Sequence, residues 1–197
     1  MSTTAALPNI APAGGGLTVV RALPSGALRI AGYLTRWTDL DQVGDRFRAG
    51  SFSTAIEHFL NTPDPQLRWH HQPVRLGRVD SLTEDAVGVQ LVATVDYVDP
   101  DDIGFERAAY EGILSKKIDR LSVGGYFDRA PGLLPDGSRE IVGISEITEC
   151  SATHAPALRD GTNFRVIDAG ADPSADALAA AKLAELRAEV FLMAQGR

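Results

Sequence analysis

Three places in this 197-residue chain hold side chains suited to hydrolysis. Ser122 lies in the stretch 118–127, inside alternating apolar residues, and is followed by Gly124 and Gly125. Glu149 lies in the stretch 144–156, between Ile147 and Ser151. His70 and His71 stand side by side in the stretch 67–79. A serine hydroxyl is a weak nucleophile until a base takes its proton. Imidazole suits that role because it titrates near neutrality. A carboxylate on the far ring nitrogen fixes the tautomer and stabilises the imidazolium. Such groups come from separate strands and meet in space.

Each residue also has a plainer reading. A strand serine is usually a small residue facing solvent. A strand glutamate is usually exposed or paired with a cation. Two glycines fit a simple bulge as well as a close backbone approach. The histidine pair could serve a metal, with His58 and His154 as the other histidines, but their spacing matches no familiar metal motif. A metal-dependent hydrolase built on His70 and His71 therefore stands as a third-ranked alternative. No cofactor or metal is expected.

These residues need a folded frame, and the composition provides for one. Hydrophobic residues make up 44% and charged residues 23%, ordinary values for one globular domain with tails. The net charge of -7 argues against binding nucleic acid through the whole surface. No apolar run is long enough to cross a bilayer, and no basic-then-apolar secretory leader is expected at the start. Cys150 is the single cysteine, so no internal disulfide forms.

Patterning predicts a β-rich α+β domain over residues 17–167. A flexible arm (1–16) precedes it, and a linker with a helical tail (168–197) follows. Strands are expected at 17–20, 28–34, 67–69, 75–81, 87–97, 121–127 and 141–153, with the two histidines at the end of the third. The stretch 41–50 reads as a polar loop. Ser51 or Ser53 is expected to cap a helix carrying Ile56, Phe59 and Leu60. A second helix is expected to end near Leu114 and turn Phe105, Ala108, Ala109 and Ile113 inward. In the tail, Ala179, Leu183, Leu186, Val190 and Met193 form a seam of about two heptads. It suits either docking or self-association, and the tail is expected to be dispensable for the fold.

Set in order, five segments resemble the tailed-phage prohead protease family, the maturation serine proteases of capsid assembly. The stretch 41–52 (DQVGDRFRAGSF) resembles its Asp-x-x-Gly-Asp loop. The stretch 68–79 (RWHHQPVRLGRV) resembles the strand that ends in the catalytic histidine. The stretch 84–95 resembles the acidic turn and apolar strand that follow. The stretch 119–127 (DRLSVGGYF) resembles the Leu-Ser-apolar-Gly motif of the nucleophile. The stretch 147–157 (ITECSATHAPA) resembles the closing Glu-x-Ser…Pro-Ala motif. The likeness covers roughly residues 30–166.

This resemblance implies Ser122 as nucleophile, Glu149 as the acidic member and His71 as the base, with the spacing back from Gly77 leaving His70 open. It implies a compact, mostly antiparallel β-barrel flanked by helices, similar to the herpesvirus assembly proteases. It further implies a serine endopeptidase that cleaves scaffold, or the scaffolding segment of the major capsid protein, and itself. The setting would be the assembling procapsid in the host cytoplasm, without nucleic acid or membrane as partner. Departures from the pattern are the doubled histidine, Gln72, Gly125 and His154. The runner-up is a noncatalytic capsid-assembly or scaffold factor on the same fold.

Overall fold

A computed structural model describes residues 23, 25–37, 39–157, 162 and 164–166. The expected strand at 17–20, the arm at 1–16 and the tail at 168–197 lie outside the described residues.

The first strand, β1 (Leu28–Arg36), runs antiparallel to β5 (Gly88–Val95), and β5 runs antiparallel to β4 (Arg75–Glu84). With a neighbour on either edge, β5 buries Val89, Leu91, Val92, Ala93 and Val95. Its nearly continuous apolar sequence is what a strand covered on both faces requires. Next to β4 comes β3 (Gln66–Trp69), and then the long β7 (Arg139–Thr153).

Strand β7 organises the functional half of the molecule. One edge pairs antiparallel with β6 (Arg120–Arg129) along almost its whole length. The opposite edge pairs parallel with β2 (Asp45–Phe47) at one end and with β3 at the other. The last described strand, β8 (Phe164–Val166), returns antiparallel to β1. The run into β8 also bonds the start of β6: Leu121 N–H donates to Thr162 O at 2.9 Å, and Phe164 N–H to Asp119 O at 2.8 Å. The result is the β-rich α+β fold that the sequence pattern leads one to expect, with its mixed sheet curled into a half-barrel.

Among the described residues, two helices pack beside the sheet. Helix α1 (Ser53–Leu60) buries Ala55 and Phe59, and the preceding Phe52 is fully buried. A wholly buried phenylalanine contributes roughly 1.5–3 kcal/mol. Neither Ser51 nor Ser53 caps this helix with its side chain. Instead Glu84, from β4, accepts the Phe52 N–H at 3.0 Å and the Ser53 hydroxyl at 2.5 Å. A carboxylate from another strand thus does the work expected of a local cap. Helix α2 (Phe105–Leu114) buries Ala109, Tyr110, Gly112 and Ile113. Phe105 and Ala108, expected inward, are exposed, because the buried stripe is rotated toward Tyr110.

The expected loop at 41–50 contains strand β2. Its Asp45 carboxylate is buried and pairs with Arg139 Nε at 2.6 Å and Arg129 Nη2 at 2.9 Å. Burial pushes this carboxyl up, but the two guanidiniums outweigh it and hold it below the ordinary aspartate range.

Candidate active site

Register places the site. Ser122 on β6 stands opposite Ser151 on β7, and Gly124 stands opposite Glu149. Side chains two apart on a strand share a face. Ser122 therefore lies on the same side of the ladder as Glu149 and Ser151. Leu121 and Cys150, on the other side, fill the core.

Gly124 makes room for the acid. A Cβ at this position would lie 2.2 Å from Glu149 Oε1, well inside contact distance. At Gly125 a Cβ would lie 2.3 Å from the Glu146 carbonyl oxygen, where the ladder shifts register. The two glycines thus have separate causes: one seats a carboxylate, the other a bulge.

The histidines do not sit on a strand. Chain pairing in β3 ends at Trp69, and His70 and His71 form the following turn with φ of 50° and 59°. Two successive non-glycine residues in the left-handed region are uncommon and carry a cost. The end of β7 holds them there. His70 N–H donates to Ala152 O at 3.2 Å, and His71 N–H donates to Ser151 Oγ at 3.0 Å. The two histidines, expected at the end of the third strand, thus lie just beyond it, and a turn, not a strand pleat, parts the two rings.

The rings go to different partners. His71 Nε2 is 3.0 Å from Ser122 Oγ, and His71 Nδ1 is 2.5 Å from Glu149 Oε1. His70 Nδ1 is 2.6 Å from Thr153 Oγ1, and its ring meets His154 edge-on with centroids 4.2 Å apart. Burial, then the neighbouring His154 and His71, push the His70 imidazole below its usual range. Among the described residues no three His, Cys, Asp or Glu side chains converge as a metal cluster would require.

Electrostatics suit the His71 position to proton transfer. The hydrogen bond to Glu149 raises the imidazole above its ordinary range; partial burial opposes this, and the carboxylate charge adds to the rise. With a carboxylate accepting from Nδ1, that nitrogen carries the proton and Nε2 is free to accept from the Ser122 hydroxyl. The Glu149 carboxylate is buried and satisfied at both oxygens, since Ser151 Oγ donates to Oε2 at 2.5 Å.

Two other glutamates on β7 are placed elsewhere. Glu140 is engaged by Arg48 through two hydrogen bonds, and Glu146 is exposed opposite Tyr126. Cys150, next to Glu149, is fully buried; that burial, with the Glu149 charge, pushes its thiol well up and leaves it inert as a nucleophile.

Ser151, the serine of the Glu-x-Ser motif, joins the site without the motif alone assigning it a role. The available signal was spacing: two residues apart on one strand, it shares the face of Glu149. A cavity of about 170 Å³ beside Ser122 also went unforeseen. Leu34, Phe47, Val123 and Phe127 give it apolar walls, and Asp45 with Arg129 gives it a polar side.

A hydroxyl, an imidazole and a carboxylate in one hydrogen-bonded line, on a curled β-rich sheet, is the arrangement that serine hydrolases use. The model of the family described as Caudovirus prohead serine protease matches residues 18–172. The chain belongs to that family, and it is a serine peptidase of phage capsid maturation. Its field of action is capsid or scaffold protein within the assembling procapsid in the host. No curated protein matches the chain.

Proposed function

We propose that the enzyme cleaves peptide bonds with a triad of Ser122, His71 and Glu149. The observation that supports this most is the position of one imidazole between the other two groups, 3.0 Å from the hydroxyl and 2.5 Å from the carboxylate. His71 Nε2 takes the Ser122 proton as Oγ attacks the scissile carbonyl, then gives it to the departing amine. Water repeats the cycle to release the acyl group. Glu149 keeps the Nδ1 proton in place and stabilises the imidazolium that forms.

The substrate is the scaffold protein or the scaffolding segment of the major capsid protein, and the enzyme also cleaves itself. The cavity beside Ser122 receives a substrate side chain of mainly apolar character. Coexpression with the phage's own capsid and scaffold proteins, followed by intact-mass measurement, tests the assignment. The enzyme should shorten one of them at a single site, and Ser122→Ala should leave both full length. Equal shortening by both forms removes Ser122 from the mechanism. Full-length partners in both cases would show that neither protein is the substrate.

A further inference from the structure

We propose that Ser151 is a positioning residue for catalysis, an inference that rests on the Ser122–His71–Glu149 reading above. Among the described residues, its hydroxyl is the one group that hydrogen-bonds both the backbone of the base and the carboxylate of the acid. It accepts the His71 N–H at 3.0 Å and donates to Glu149 Oε2 at 2.5 Å. With the Glu149 Oε1 to His71 Nδ1 contact, these bonds close a ring: His71 backbone, Ser151, Glu149, His71 imidazole.

That ring has a physical task. His71 sits in a left-handed turn that its own side chain disfavours, and the turn has few internal bonds of its own. The hydroxyl ties the turn to β7 at the residue that matters. It also takes up the second carboxylate oxygen, which leaves Oε1 directed at Nδ1. Ser151 is wholly buried, and on the β6–β7 ladder it stands directly opposite Ser122. Its hydroxyl is committed to Glu149 and does not reach into the reacting centre. It acts through the other two. A buried serine with both donor and acceptor used cannot rotate freely, so it fixes the imidazole within the narrow range that proton transfer needs.

Ser151→Ala removes both bonds and little volume. The probe is a fluorophosphonate, whose phosphorus bonds to Ser122 Oγ with loss of fluoride while His71 takes the hydroxyl proton. In Ser151→Ala the limiting labelling rate should fall on the order of a hundred-fold with little change in the half-saturating concentration. The downfield Nδ1 proton resonance of His71 should shift or broaden, while Ser122→Ala should retain that resonance. The thermal transition should drop by a few degrees, since the buried Glu149 Oε2 and the His71 N–H lose their partner, while the labelling rate falls far more. Should Ser151→Ala fail to fold, Ser151→Cys, which fills the same space with a weak donor, is read in its place. Wild-type labelling rate and an unmoved resonance in the variant would overturn the inference. If the wild-type enzyme takes no label at Ser122, the triad reading itself fails and this inference falls with it.

Discussion

Gly124 faces Glu149 across the β6–β7 ladder so closely that a Cβ on the glycine would stand 2.2 Å from Oε1. The acid of the site is therefore seated by a missing side chain. Gly124→Ala should fold, because a side-chain end can yield, but the carboxylate must leave Nδ1. Peptidase activity should drop by at least ten-fold with a small change in melting temperature. Gly125→Ala meets a backbone carbonyl, at 2.3 Å, which cannot move away without breaking the strand pairing. It should cost about 1–3 kcal/mol of stability. Chemical denaturation of both variants separates the two effects. Equal stability loss with intact activity in Gly124→Ala would contradict this account.

The raised imidazole of His71 sets a pH dependence with a definite sign. The base must be neutral to accept the Ser122 proton, so kcat/KM should rise as pH climbs through a midpoint above about 6.5. The folded-state value lies above the unfolded one. The His71–Glu149 ion pair therefore contributes stability at low pH, fully present below the unfolded value and lost as pH rises through the folded one. Glu149→Gln removes the charge and weakens the hydrogen bond that cause the rise, so the acid limb should move to lower pH. Activity should also fall by about 10⁴-fold, less than the roughly 10⁶-fold expected of Ser122→Ala. A pH–rate profile of each variant reads both effects, and an unshifted limb would separate Glu149 from the base.

The adjacent histidines should differ sharply in consequence. His71→Ala should abolish cleavage. His70→Ala loses a bond to Thr153 and the edge contact with His154, and so should weaken cleavage only through the turn it supports. Turnover of the two variants on one substrate tests this. Abolition by His70→Ala with activity kept in His71→Ala would reverse their roles.

Asp45 links the sheet to acid stability. Its folded-state value is depressed, so its contribution is present above the unfolded carboxylate value of about 3.9 and is lost as pH falls through the folded one. Urea denaturation of the wild type should show midpoints declining through that range. In Asp45→Asn the decline should be shallower. Parallel curves for the two proteins would show that the Arg129–Asp45–Arg139 cluster has no part in the acid response.

What the sequence revealed follows from how local each cause is. Ser122 and Glu149 lie on strands whose apolar alternation is readable, and the order of the motifs around them marked the fold. The separation of His70 from His71 was not readable by alternation. Their left-handed turn is imposed by bonds from β7, about 80 residues downstream. Strand β2 hid inside a polar stretch because its buried Asp45 is neutralised by arginines 84 and 94 residues away. The cap of α1 comes from Glu84 for the same reason: a partner distant in sequence replaced the serines nearby.

The central claim is that His71 activates Ser122, and adduct mapping tests it most directly. The full chain is treated with a fluorophosphonate, digested and mapped by mass spectrometry, alongside His71→Ala. The account predicts an adduct on Ser122 in the wild type and its near-complete loss in His71→Ala. An adduct on another serine, or on Ser122 to the same extent without His71, would contradict it.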